Sequence, residues 1–232
     1  MKYQQTHNGT FPLVTISLNQ GEEVKVERGS MVFHNGKVAI EGKMNSNGEG
    51  GLGGLLKSVA RSVVSGESFF ITTAKGTAPG GQIAIAPASI GGIREIQAGE
   101  KQWCINDGSF LACDNTLTYN IERQSIGKAI LGGTGGLFIM KTSGSGTMLV
   151  NSFGDLLEIE IDGSSPFVID NQHVIAWESN LRYELRIASG TFGFTTGEGI
   201  VNEFNGQGKI LVQTRNAASL ARILIPFLPK SQ

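Results

Sequence analysis

The sequence predicts an all-β protein: a β-sandwich or barrel-like body of three internally repeated antiparallel units, pseudo-threefold in arrangement, with one or two short helices. Three observations lead there. Glycine makes up 33 of 232 residues, about 14 %, where roughly 7 % is usual. Short runs rich in β-branched and aromatic residues follow one another, separated by Gly, Asn, Asp and Ser. Two glycine landmarks recur along the chain at nearly one period.

Composition narrows the alternatives. Six prolines and no Gly-X-Y period set aside collagen and disordered low-complexity chains. Nineteen Lys+Arg against twenty Asp+Glu give a net charge of −1. That balance lacks the basic excess of a general nucleic-acid or membrane-surface protein, so it argues against DNA and RNA as partners. With 40 % hydrophobic residues the chain can build a core, read as one compact domain over 1–232. No segment reaches the roughly 18 uncharged apolar residues that span a bilayer, and residues 1–11 lack a signal-peptide core. The expected location is the cytoplasm. Cys104 and Cys113 are too few for a disulfide scaffold. Both are expected on a hairpin around Asn106-Asp107-Gly108-Ser109, where Cys104 faces Leu111 and Cys113 lies diagonal to Cys104 as a small thiol.

Strands are expected at Phe11–Leu18, Val24–Val26, Lys37–Ile40, Phe69–Thr73 and Gln82–Ala86. The second half continues with Ser109–Cys113, Leu137–Lys141, Thr147–Asn151, Leu156–Ile161, His173–Trp177, Arg182–Ile187 and Lys209–Gln213. The first landmark is a glycine four residues before an aromatic: Gly29 and Phe33, Gly99 and Trp103, Gly163 and Phe167. A turn follows each, at His34-Asn35-Gly36, Asn106-Asp107-Gly108 and Asp170-Asn171. The second landmark is Gly-x-apolar at Gly81, Gly146 and Gly208, after what reads as a second hairpin. The periods are 70 then 64 residues for the first and 65 then 62 for the second. They divide the chain into units at 20–92, 93–154 and 155–215, with a short helix and tail over 216–232. None of these units is large enough to stand alone without leaving sheet edges unpaired.

Two segments depart from the β pattern. An insert at 44–68 carries Leu55, Leu56, Val59, Val63 and Val64 at helical spacing after a Gly-rich lead that includes Leu52. Ala217–Ile225 is a second helical candidate, stopped by Pro226 and Pro229. Either both helices plug ends of the β body, or one docks a partner or a membrane surface. On the second reading the candidate interaction surface is Leu52, Leu55, Leu56, Val59, Val63, Leu220, Ile223 and Phe227.

Catalytic and cofactor patterns fail one by one. Leu131–Gly136 lacks the Lys-Ser/Thr of a phosphate loop and leads into a strand. Gly206-Gln207-Gly208-Lys209 has the lysine without the spaced glycine, hydroxyl or helix. Ser145 lacks the first glycine of a nucleophile elbow. His7, His34 and His173 show no metal-ligand spacing, although His34 and His173 fall in related turns and could approach one axis. Glu158, Glu160 and Asp162 alternate with Leu157, Ile159 and Ile161, the pattern of a solvated strand face. No cofactor or metal is expected.

Several motifs in order carry a family resemblance. They are Gly29-Ser30-Met31-Val32-Phe33, Gly42-Lys43-Met44, Gly66-Glu67-Ser68-Phe69-Phe70, Ala86-Pro87 and Gly91-Gly92-Ile93. Gly108-Ser109-Phe110-Leu111-Ala112 and Val174-Ile175-Ala176-Trp177 extend the match. Over roughly 11–229 the chain resembles the altered-inheritance-of-mitochondria family, and its opening residues suggest the bacterial branch. The resemblance implies a β-sandwich like that of the tryptophan RNA-binding attenuator protein, and it brings no catalytic or ligand residues. The expected function is a non-enzymatic scaffold or protein-interaction module, oligomeric or bound to a protein partner. The alternative is a module binding a small molecule or RNA, by fold analogy alone. Peripheral membrane contact and an enzyme are the remaining readings.

Overall fold

The computed structural model describes residues 1–6, 11–41, 71–124, 138–188 and 199–229. A short strand β1 (Lys2–Gln5) comes first. Three sets of six strands follow. The first is β2 (Val14–Leu18), β3 (Glu23–Glu27), β4 (Met31–His34), β5 (Val38–Glu41), β6 (Ile71–Gly76) and β7 (Gly81–Ile85). The second is β8 (Ile93–Ala98), β9 (Trp103–Asn106), β10 (Phe110–Asp114), β11 (Thr118–Arg123), β12 (Phe138–Ser143) and β13 (Gly146–Asn151). The third is β14 (Leu156–Asp162), β15 (Phe167–Asp170), β16 (Val174–Glu178), β17 (Arg182–Ile187), β18 (Ile200–Asn205) and β19 (Gln207–Gln213). The one α-helix among the described residues, α1 (Ala217–Leu224), is followed by a 3-10 turn at Ile225–Phe227, and another 3-10 turn lies at Asn171–His173. The fold is all-β and antiparallel, with a lone parallel bridge between Gly91 and Gly154 among the described residues.

The strands form sheets ordered β1-β2-β7-β4, β5-β6-β3-β10-β13-β8, β11-β12-β9-β16-β19-β14 and β15-β18-β17. One pairing scheme runs through all three sets. The first, sixth and third strands of a set lie together, as β2-β7-β4, β8-β13-β10 and β14-β19-β16. The fourth, fifth and second lie together in the adjacent sheet, as β5-β6-β3, β11-β12-β9 and β17-β18-β15. Neighbouring sets are joined where the second strand of one pairs with the third strand of the next: β3 with β10, and β9 with β16.

This scheme corrects the expected hairpins. Asn106–Ser109 links β9 to β10, but the two strands belong to different sheets. Both edges of β9 are already taken: Ile105 pairs with Met140 on one side and Ala176 on the other. The turn is a corner, so Cys104 does not face Leu111. The expected second hairpins are corners too, since β6 and β7, β12 and β13, and β18 and β19 each part company into two sheets. The first landmark also shifts. Gly99 and Gly163 precede β9 and β15, the second strands of their sets, whereas Gly29 precedes β4, a third strand. The glycine before the matching strand β3 is Gly21.

The second landmark has a steric reason. A Cβ on Gly208 would sit 2.9 Å from the buried carboxylate of Glu178, and one on Gly146 would sit 3.0 Å from Cβ of Asp114. Both acids end third strands and reach the start of the sixth, where Asp114 accepts a hydrogen bond from Thr147 N at 2.7 Å. Asn35, just beyond β4, does the same for Gln82 N at 3.1 Å. The glycines leave room for this contact.

Alternation places the core. Val14, Ile16 and Leu18 of β2 and Val24 and Val26 of β3 point inward, while Thr15, Ser17, Glu23 and Lys25 stay half-buried. Trp177 is fully buried and meets Tyr183 and Phe204 edge-on, with centroids 4.8 and 5.5 Å away. No helix among the described residues is long and apolar enough to cross a membrane.

Candidate interaction surface

The sequence places the interaction surface on two helical segments. Leu52, Leu55, Leu56, Val59 and Val63 lie outside the described residues. Leu220, Ile223 and Phe227 fall on or just after α1. Asn216 caps this helix, its side-chain oxygen accepting from Ser219 N at 2.8 Å. The Asn216 amide donates in turn to His173 Nε2 at 2.9 Å, which leaves His173 Nδ1 to donate to the Gln213 carbonyl at 2.7 Å. The helix root is thus tied to the body. Its apolar side chains are not. No residue of α1 is buried, Leu220 is half-buried, and Ile223, Leu224, Ile225, Phe227 and Leu228 are exposed. The helix does not plug the β body.

Two sheet edges carry further exposed apolar side chains that the sequence reading missed. On β4 these are Met31, Val32 and Phe33; on β15 they are Phe167 and Val168. Each strand ends its sheet with one side unpaired among the described residues. Edges elsewhere are protected by charge: Arg94 and Glu95 on β8, Glu158 and Glu160 on β14, Arg182, Glu184 and Arg186 on β17. The acids of β14 do form the expected exposed face, where Glu158 accepts from Lys209 Nζ at 2.6 Å. The signal for the open edges was available: Met-Val-Phe and Phe-Val are apolar runs without a charge.

Polar recesses are largely occupied by the fold's own bonds. A cavity of about 210 Å³ is lined by Asn106, Asp107, Ser109, Asn171, Gln172 and Gln213, with Phe138 and Val174. Asn106 Nδ2 donates to the Val174 carbonyl at 2.9 Å, and Gln213 Nε2 to the Gln172 carbonyl at 2.8 Å. The corner residues His34 and His173 stay apart in role: His34 Nδ1 accepts from Gly36 N at 3.1 Å, while His173 anchors α1. The described residues contain no group of three or more His, Cys, Asp or Glu able to hold a metal. Both cysteines are free and buried. Burial pushes Cys104 up to about 11 and Cys113 to about 12, so both are thiols rather than thiolates at neutral pH.

One carboxyl at the corners is strongly perturbed. Glu27 is pushed up to about 7, first by burial and then by the charge of Asp107. Its folded-state value lies above the ordinary 4.5, so the folded chain holds the extra proton between those limits. Stability therefore falls as pH rises through that window. Glu27→Gln is expected to flatten this slope and to stabilise the protein by about 1 kcal/mol above neutral pH, solvent screening keeping the effect small. Urea midpoints measured on both sides of the window check it, and an unchanged slope in the variant would contradict the assignment.

Residues 3–215 match the family model described as Mitochondrial biogenesis AIM24. The chain belongs to this family. An uncharacterised protein from Streptococcus pyogenes serotype M6 is 44 % identical over 232 residues, covering 100 % of this chain and 92 % of that protein. The X-ray crystal structure of a Streptococcus pyogenes protein matches with TM-score 0.82 and 42 % identity, covering 98 % of this chain and 99 % of the other. The AIM24 match agrees with the resemblance drawn from the sequence motifs and spans nearly every described strand.

Proposed function

We propose that this AIM24 chain is a non-enzymatic cytoplasmic scaffold that works by associating with protein, copies of itself included. One observation carries the reading: where the chain is described, its exposed large apolar side chains gather at three places. Ten of the fourteen lie on β4, on β15 and on the segment Ile223–Leu228. Monomeric proteins rarely leave such surface uncovered without a use for it. An uncharged, apolar sheet edge is in addition a template for another strand. RNA binding by fold analogy has little to rest on, because no basic excess is available to neutralise phosphates. A small-molecule site finds little support: the amides beside the Asn106 cavity are mostly committed to backbone carbonyls, and in the wider recess lined by Tyr3, Gln4, Thr15 and Glu95 the Tyr3 hydroxyl already donates to Glu95.

Light scattering on the purified protein over a range of concentrations tests this. The expected mass exceeds that of one 24.6 kDa chain and grows with concentration. A single-chain mass throughout would overturn the reading.

A further inference from the structure

One joint is made twice within the chain. β10 meets β3 with Ala112 opposite Val26, Cys113 opposite Lys25 and Asp114 opposite Val24. β16 meets β9 with Ala176 opposite Ile105, Trp177 opposite Cys104 and Glu178 opposite Trp103. In both, a third strand closes antiparallel on the second strand of the preceding set.

The same two strand types are left over at the ends. β4 is the third strand of the first set and has no preceding set; β15 is the second strand of the last set and has no following one. Register irregularities identify the matching residues. The third strands slip between Phe110 and Ala112 and between Val174 and Ala176, and β4 slips between Met31 and Phe33. Phe33 thus stands where Ala112 and Ala176 stand, and His34 where Cys113 and Trp177 stand. On the other side Val26 pairs with Thr72, Ile105 with Met140 and Ile169 with Asn202 on the fifth strands. Ile169 therefore takes the place of Val26 and Ile105.

Burial shows what the missing joint would do. Leu111 and Ile175, at the centre of their third strands, are 0 % exposed; their counterpart Val32 is 54 % exposed. Phe33 is 51 % exposed where Ala112 and Ala176 are 0 %. β4 is covered on one side by β7 and, among the described residues, open on the side that β10 and β16 use for their joint.

We infer that β15 of one copy of this chain pairs antiparallel with β4 of a second copy, Ile169 opposite Phe33, Val168 opposite His34 and Phe167 opposite Asn35. The inference rests on the scaffold reading and names its partner. Continuity with the two internal joints selects a second copy, because that copy presents the strand the series calls for. The contact joins two different surfaces, so each copy offers one of each. The assembly grows head to tail, into a ring if the rotation closes and a filament if it does not.

The test blocks one edge at a time. Phe33→Lys places a charge on β4 and Phe167→Lys on β15, both at exposed positions away from the core. Light scattering should show each variant alone as a single chain. Their equimolar mixture should give a species of twice the chain mass and nothing larger, because one good β15 meets one good β4. A wild-type monomer would sink both the scaffold reading and this joint. Wild-type assembly that neither variant reduces would sink the joint alone and leave the scaffold reading standing. Loss of assembly that mixing does not restore would also refute head-to-tail pairing, provided circular dichroism shows both variants folded. Should either lysine variant fail to fold, mixing His34→Cys with Val168→Cys under oxidation gives the answer. A covalent dimer on a non-reducing gel is expected, and its absence refutes the register. A doubly substituted chain that links only within itself would show closure inside one copy and overturn the proposal.

Discussion

Trp177→Ala is expected to cost about 3–5 kcal/mol of folding free energy, the range for removing a large buried aromatic. Trp177 is completely buried, touches Tyr183 and Phe204 edge-on, and packs with Val174, Leu181 and Ile210 in one core cluster. Its indole N–H has no hydrogen-bond partner among the described residues. The loss is therefore one of packing, with no donor bond to add. Trp177 also sits opposite Cys104 in the joint between the second and third sets. The cavity thus weakens the place where the two are held together. Urea denaturation checks this, and a loss near 1 kcal/mol would mean that the site collapses around the gap.

Gly91→Ala is expected to cost about 2–4 kcal/mol, because the new methyl meets backbone that has no rotamer to yield. A Cβ there would overlap the Ser152 carbonyl oxygen and lie 2.5 Å from the Gly154 carbonyl oxygen. The two connecting segments are pinned together by Ser152 N donating to the Gly92 carbonyl at 3.0 Å and Gly154 N to the Ile90 carbonyl at 2.7 Å. Gly21→Ala is the control. Gly21 has a positive φ of +83° but nothing within 4 Å of a Cβ. It should cost only about 1–2 kcal/mol for the left-handed backbone. Equal losses at the two sites, read from denaturation midpoints, would contradict the close-approach argument.

Alternation made β2 legible in the sequence, where Val14, Ile16 and Leu18 are core; β10 and β16 are buried almost throughout and were legible as short apolar runs, whereas β8 and β11 were not expected. The all-β class was legible too, from glycine at Gly81, Gly146 and Gly208, where the start of the sixth strand is crowded: by the Lys37 and Leu18 carbonyls at Gly81, and by the third-strand acids Asp114 and Glu178 at Gly146 and Gly208. Sheet membership was not. Asn106-Asp107-Gly108-Ser109 has the same turn chemistry whether its flanking strands pair or diverge; the outcome depends on β12 and β16 occupying both edges of β9. No local pattern encodes that competition. β4 was missed for a related reason: it spans only Met31–His34 and carries a register slip that breaks alternation. Among the exposed apolar side chains, Ile223 and Phe227 were expected from the sequence at and just beyond the helix. The two open edges carried a signal, the uncharged runs Met31–Phe33 and Phe167–Val168, but only the pairing scheme shows that these runs lie on edge strands.

Hydrogen exchange measured from dilute to concentrated solution reports on the two open edges themselves, because it reads the backbone amides that an added strand would bond. Assembly through these edges predicts that exchange at residues 31–35 and 167–170 slows as concentration rises. Residues 24–26 and 112–114, already paired within the chain, should not change. A mass that rises with concentration while both edges exchange at an unaltered rate would contradict the account.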